Sequence, residues 1–336
     1  MKLIIQIPCL NEEATLPETL ADLPREVDGF DVVEWLVIDD GSTDATAEVA
    51  RECGVDHVVR FTGNKGLAIA FQAGIDAALK LGADVIVNTD ADNQYRGDEI
   101  PKLVRPIVEG KADVVVGNRM IRQHEEFSRV KKLLQLWGSW VVRQASGTDV
   151  PDTTSGFRAY SREAALRLNV VSRFSYTLEA LIQAGKSDLA VTHIPIGTNP
   201  KTRDSHLFRS TSEYLRRSVG TILRIYAMHE PLRVFMLLAA IPGLAGAFLV
   251  GRVIWFYFTS PGPTGHVQSL IIGGVLLVFA VQLIVLGVLA DLVRTNRVLT
   301  ERSLHGIRRV ELQLGVSPDS LAELDAHLRP QTPARE

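Results

Sequence analysis

The chain has 336 residues, 46% of them apolar, enough for a catalytic domain plus something more. Its 36 lysines and arginines face 39 acidic residues; the net charge of −3 offers no global positive field and argues against nucleic acid as a partner. Cys9 and Cys53 lack metal-ligand spacing, exclude a disulfide framework, and read as reduced packing residues of a cytosolic domain.

The opening run, MKLIIQIPCL, is too short for a signal peptide and predicts a first strand at Lys2–Ile7. Further strands are predicted at Val33–Ile38, His57–Val59, Asp84–Val87, Asp113–Val116 and Ala190–Ile194. Helices are predicted between them at Glu12–Asp22, Ala45–Cys53, Gly66–Leu81 and Pro101–Glu109. This alternation predicts an α/β domain with a mostly parallel sheet and ligands at the carboxyl ends of the strands. No internal repeat interrupts it.

Those carboxyl ends are acidic. The first strand runs into Pro8-Cys9-Leu10-Asn11-Glu12-Glu13, the second into Asp39-Asp40-Gly41-Ser42-Thr43-Asp44, and the fourth into VNTDADNQ. Alternate positions of an extended chain point the same way, so Asp90, Asp92 and Gln94 converge. Hard oxygen donors that converge suit Mg²⁺ or Mn²⁺; taken alone, the stretch fits a solvated loop equally well. An acidic rim holds phosphates poorly unless a divalent cation bridges its carboxylates to a diphosphate. Neither GxGxxG nor a Walker A loop is present, which disfavours dinucleotide oxidoreductases and P-loop kinases.

Later segments point to a bilayer. Val130–Val141, with Leu133, Leu134, Trp137 and Trp140 beside Lys131 and Lys132, fits either a membrane-facing mouth or domain core. Leu215, Val219, Ile222, Leu223 and Tyr226 recur at helical spacing among arginines, which suits a helix in the headgroup plane or one packed on the soluble domain. Val234–Phe258 and Gln268–Val293 are apolar runs of about 25 residues, enough to cross a ~30 Å hydrocarbon core. The connection Thr259–Val267 holds no lysine or arginine, whereas Arg216, Arg217, Arg224 and Arg233 precede the pair and Arg294, Arg297, Arg302, Arg308 and Arg309 follow it. This asymmetry predicts a multi-pass inner-membrane protein with its catalytic domain and both termini in the cytoplasm. Gly243, Gly246 and Gly251 permit close helix approach and hence a homo-oligomer. The charged tail after Thr300 carries no motif for chemistry.

IPCLNEE, VIDDGSTDAT, NKGLAIAFQAGIDAA, DADNQ, VVVGNR and DTTSGFRAYSREA, in that order, resemble a family 2 glycosyltransferase of the GT-A fold. Within the family they resemble the branch of dolichyl-phosphate mannose synthase and bacterial polyprenyl-phosphate glycosyltransferases. The match covers roughly Met1–Arg209, and a membrane hairpin after the catalytic domain also occurs in that branch. The resemblance implies inverting, metal-dependent transfer of a sugar from a nucleotide-diphosphate sugar to a polyprenyl phosphate. It implies that Pro8, Leu10, Glu12, Asp39, Asp40, Lys65, Asp90 and Ala91 hold the nucleotide sugar, and that Asp90, Asp92 and Gln94 bind Mg²⁺ or Mn²⁺. Arg119 would reach phosphates, Asp152 with Ser155-Gly156-Phe157-Arg158 would form the acceptor-side loop, and Arg203 stands where the family carries a later arginine. His206 departs from the family's lysine there, and Lys201 is a further candidate cation.

The expected organisation is a GT-A domain over residues 1–205, an amphipathic juxtamembrane helix over 206–232, two transmembrane helices over 233–293 and a cytoplasmic tail over 294–336. A processive polysaccharide synthase is disfavoured, because no QxxRW motif and no further spans are present. A different lipid or sugar-hydroxyl acceptor remains an alternative. A catalytically silent nucleotide-binding protein is a third, and the intact Asp90, Asp92 and Gln94 argue against it.

Overall fold

The computed structural model describes residues 1–120, 140, 142–143, 146–170, 176–199, 230–259 and 267–315. Two compact units divide the chain: Met1–Ser218 with Arg302–Glu336, and Val219–Glu301.

The first unit is built on a seven-stranded sheet. In chain order it contains β1 (Lys2–Cys9), α1 (Leu16–Asp22), β2 (Val32–Asp39), α2 (Thr46–Glu52), β3 (His57–Arg60), α3 (Leu67–Lys80) and β4 (Val85–Asn88). After a short 3₁₀ turn come α4 (Ile100–Val108), β5 (Val114–Asn118), β6 (Arg158–Ser161), α5 (Arg162–Arg167), α6 (Tyr176–Lys186) and β7 (Val191–Pro195). The spatial order is β3-β2-β1-β4-β6-β5-β7. All pairs are parallel except those of β6, which runs against both β4 and β5.

The predicted strands are therefore present, most extended by a residue or two. Strand β6 is not among them: its sequence, RAYS, has no apolar alternation to announce it. The predicted Glu12–Asp22 helix starts at Leu16, because Glu12–Thr15 form a turn in which the Leu16 amide donates to the Glu12 carbonyl.

Burial explains the long apolar strands. Leu3, Ile5 and Ile7 of β1 pack with Leu16, Leu20, Trp35, Val37 and Leu103, while Ile4, Leu36, Ile38 and Ile86 alternate with them and are equally buried. A sheet covered on both faces needs strands without a polar side. The order reverses between β1 and β4, and open α/β sheets leave a ligand crevice outside such a reversal. β6 enters from that same rim, where Arg158 is paired with Asn88. It thereby brings residues 152–157 to the carboxyl ends of β1 and β4.

The second unit contains α7 (Pro231–Thr259) and most of α8 (Val267–Gln313). Both are long and apolar enough to cross a bilayer, and Leu237, Ile241, Phe248, Val275 and Val278 are among their exposed side chains. A core helix would bury such residues. A Cβ on Gly246 would lie 2.8 Å from the Gly273 carbonyl oxygen, so this glycine serves packing of α7 on α8 within one chain. Gly243 faces Ala280, and Gly251 has open space. Beyond residue 293, where the membrane span was expected to end, α8 continues as helix to Gln313, and its last turns belong to the first unit. The Leu215–Tyr226 segment lies outside the described residues, as does Val130–Val141 apart from Trp140.

Candidate active site

The stretch after β4 alternates in burial, but through a turn at Ala91–Asp92 rather than the extended chain the sequence suggested. Ala91, Asn93 and Tyr95 are buried beneath it, while Asp90, Asp92 and Gln94 are each partly open. Asp92 accepts the Gln94 amide at 3.1 Å, and Asn93 takes a left-handed conformation that asparagine tolerates. From the far side, the Asn199 side-chain amide donates to the Asn93 carbonyl at 3.0 Å and its backbone amide to the Gln94 carbonyl at 3.0 Å. Thr19 holds the Ala91 carbonyl at 2.9 Å. The loop is thus pinned at its buried positions and presents the alternate ones.

Beneath Asp90 lies a buried polar chain. Gln6 donates to the Asn88 side-chain oxygen at 2.8 Å, and the Asn88 amide donates to the Gly156 carbonyl and to the Tyr176 hydroxyl, both at 2.9 Å. The Gly156 amide donates to the Tyr95 hydroxyl at 3.0 Å, and the Tyr95 ring stacks on Phe157 with centroids 5.1 Å apart. Low dielectric strengthens such bonds and makes any broken one expensive. Poor solvation, and then the neighbouring Asp92 carboxylate, push the Asp90 carboxyl up to about 7, against the pull of Arg119.

Beside these carboxylates stands a two-pronged ion pair. Arg119 Nε and Nη2 donate to the two Asp152 oxygens at 2.8 and 3.0 Å, and Nη2 also reaches the Thr154 hydroxyl at 2.9 Å. Burial works to raise the Asp152 carboxyl, but Arg119 outweighs it and holds it below the ordinary carboxylate range. Burial likewise disfavours the Arg119 cation, yet Tyr95, Asp152 and Asp90 hold its pKa above the arginine norm.

Residues 4–168 match the family model described as glycosyl transferase family 2. The UDP-N-acetylglucosamine–dolichyl-phosphate N-acetylglucosaminyltransferase of Methanococcus voltae is 31% identical over 214 residues, 57% of this chain and 83% of that protein. This chain belongs to glycosyl transferase family 2. The undecaprenyl-phosphate mannosyltransferase of Micrococcus luteus is 29% identical over 206 residues, 58% of this chain and 83% of that protein. The glucosyl-3-phosphoglycerate synthase of Mycobacterium tuberculosis, solved with Mn²⁺, UDP-glucose and phosphoglyceric acid, superposes with a TM-score of 0.53 and 25% identity over 67% of this chain and 80% of that one.

The glycosyltransferase positions the remaining predicted residues in different ways. Pro8 is buried at the end of β1 and Leu10 is exposed. The Glu12 amide donates to the Thr46 hydroxyl at 2.9 Å, and its carboxylate accepts from Thr15. Asp39 is buried, accepts the Ser42 amide at 2.8 Å and lies 3.1 Å from Arg60 Nε. Asp40 spends one oxygen on the Lys65 amide at 2.7 Å and the other on the Gly66 amide at 2.9 Å, closing the loop ahead of α3. The Lys65 ammonium lies 4.7 Å from the Phe61 ring centroid. The charges of Glu12, Asp39 and Asp90 all bear on the buried Cys9, whose thiol is pushed up by burial first and by these carboxylates next.

Arg158 is placed differently from an open candidate cation. It is 0% exposed, and its guanidinium donates to the carbonyls of Ser155, Thr177 and Thr153 at 2.8, 2.7 and 2.8 Å. Its donors shape the 152–157 loop from inside and are taken up by these three carbonyls. Lys201, Arg203 and His206 lie outside the described residues.

Asn88, Tyr95 and Tyr176 escaped the sequence reading. Asn88 offered a signal, being an amide at the end of an otherwise apolar strand; the role of Tyr176 depends on contacts far away in sequence and offered none.

Proposed function

We propose that this glycosyltransferase moves a sugar, with inversion, from a nucleotide-diphosphate sugar to a polyprenyl phosphate at the cytoplasmic face of a membrane. The observation that carries the reading is the pairing of partly open Asp90, Asp92 and Gln94 with the ion pair of half-buried Arg119 and buried Asp152 on one sheet rim.

The donor set fits Mg²⁺ or Mn²⁺. Asp90, Asp92 and Gln94 would offer two carboxylates and an amide and leave coordination positions to a diphosphate; among the described residues no three carboxylate, imidazole or thiol groups gather into a centre that would hold a cation without it. A poorly solvated carboxyl raised to about 7 beside a second acid also suits a cation partner. Such a cation, when bound, would neutralise charge growing on the leaving nucleoside diphosphate.

The acceptor needs little activation. A phosphomonoester has a second pKa near ~6, so its oxygens are already anionic at neutral pH. One of them attacks the anomeric carbon, the bond from that carbon to the diphosphate oxygen breaks, and no general base is needed. Arg119, its Nε and Nη2 held by Asp152, supplies a fixed positive charge toward phosphate oxygens, with Nη1 as its remaining donor group. Asp152 serves as the orienting partner of that guanidinium.

The lipid acceptor draws support from the two relatives named for dolichyl- and undecaprenyl-phosphate and from the two apolar helices of this chain. The arginine-free connection between those helices supports a cytoplasmic catalytic domain. Membranes bearing the full chain, given polyprenyl phosphate and a panel of radiolabelled nucleotide sugars, should move one label into the lipid phase in a Mn²⁺- or Mg²⁺-dependent way. Label appearing only on diacylglycerol or a free sugar would replace the acceptor; no transfer with any donor would overturn the reading.

A further inference from the structure

The last turns of α8 grip the catalytic unit on a side that the proposed chemistry does not use. Arg308, 12% exposed, lies 2.9 Å from Asp76 of α3 through Nη2 and donates to the Leu168 carbonyl through Nη1. Leu168 is the residue that ends α5, where the helix leaves partial negative charge, so a guanidinium there also acts as a cap. Arg309 lies 3.2 Å and His305 3.9 Å from Glu163, in the first turn of the same helix. The segment therefore holds α5 at both ends and joins it to α3.

Helix α3 and the chain leaving α5 meet again one step closer to the site. Gln72 donates to Asp76 at 3.1 Å and accepts the Val170 amide at 2.8 Å. Phe71, beside it, stacks on Tyr176 with centroids 4.1 Å apart. Tyr176 opens α6 and receives the hydrogen bond from Asn88. Its hydroxyl and the Asp90 carboxylate flank the same glycine, Gly156.

We propose that Arg308 is a positioning residue of this glycosyltransferase, tying α3 to the end of α5 so that Tyr176 stays on Asn88 beneath Asp90. The tail that the sequence left without a role is then a working part of the catalytic unit. Arg308 touches no substrate; it acts through Asp76, Gln72 and the Leu168–Val170 backbone.

The test uses the full-length protein in detergent micelles, with Arg308→Ala, Arg308→Lys, Asp76→Ala and the double alanine variant. In Arg308→Ala, amides of Leu168–Val170 and Tyr176–Ala180 should exchange with deuterium roughly tenfold faster, while those of β1 and β4 stay unchanged. The kcat for sugar transfer should fall about tenfold with the donor KM held within about twofold, because placement rather than donor binding is lost. Arg308→Lys, which keeps a cation near Asp76, should recover most of the rate. The double variant should be no worse than the poorer single one, since both remove one interaction. Unchanged exchange in Arg308→Ala overturns the proposal, as does equal acceleration across β1 and β4 or accelerated exchange with full kcat. Should Arg308→Ala fail to fold, Asp76→Asn, which removes charge and keeps shape, carries the same readouts. The kcat measurement rests on the lipid-acceptor reading and the exchange measurement does not, so their failures are distinguishable.

Discussion

Gly156 leaves room for Asp90: a Cβ at residue 156 would fall 2.9 and 3.0 Å from the two Asp90 carboxylate oxygens and 2.8 Å from the Tyr176 hydroxyl. Its amide and carbonyl are both held, by Tyr95 and Asn88, so the backbone has little freedom to retreat. Gly156→Ala should therefore displace Asp90 rather than the loop. Overpacking of this kind costs about 1–3 kcal/mol, and the transfer rate should drop roughly ten- to hundredfold. Wild-type kinetics in this variant would show that Asp90 needs no fixed position.

Arg158 should behave as a structural residue. Arg158→Met removes donors from three carbonyls that sit in a buried setting. Leaving such acceptors unpaired costs on the order of 3–5 kcal/mol in total, which lowers the melting temperature before any kinetic effect is read. Arg158→Lys, with fewer donors and no fork, should fall between. A melting temperature equal to wild type with lost transfer would return Arg158 to the chemistry.

These two residues show how far the sequence could be read. Asp90, Asp92 and Gln94 were picked out in eight letters by assuming an extended chain; the structure turns at Ala91–Asp92 and takes Asn93 left-handed, and the alternation of buried and open positions through Asp90–Tyr95 comes from that pinned turn. The placement of Arg158 was not visible, because an arginine in a polar motif looks the same whether it faces a phosphate or three carbonyls. Strand β6 escaped because its burial comes from neighbours on both sides rather than from its own pattern. The role of the last turns of α8 escaped for a related reason: arginines after an apolar span already satisfy the positive-inside rule, and only Asp76 and Leu168 reveal a second use.

Acid should dissolve the Arg119–Asp152 pair in a defined window. The Asp152 carboxyl is lowered in the folded chain, so it contributes stability above its unfolded pKa and loses that contribution as pH falls through the folded value. The difference in melting temperature between wild type and Asp152→Asn should be flat from about pH 8 to 5 and shrink below about pH 4. A difference that grows on acidification would contradict the sign of the shift.

Topology is open to a direct check. Reporter fusions at Gly265 and after Glu336 should give opposite signals, the first outside and the second cytoplasmic, as the flanking arginines require. Equal signals would remove the hairpin arrangement.

The paired carboxylates permit the sharpest comparison. Asp92→Asn preserves shape and removes one formal charge facing the proposed cation. Both the cation and the diphosphate it bridges should then bind poorly, and the leaving group departs without compensation. Loss of one strong electrostatic stabiliser costs on the order of 3–4 kcal/mol, or roughly a hundred- to thousandfold in rate. Gln94→Ala removes a neutral donor that water replaces, so its deficit should be smaller and partly recovered with excess Mn²⁺. Titrating the transfer rate against Mn²⁺ and Mg²⁺ for both variants separates the cases. An Asp92→Asn enzyme with the wild-type rate and the wild-type metal dependence would reduce this acidic stretch to a solvated loop.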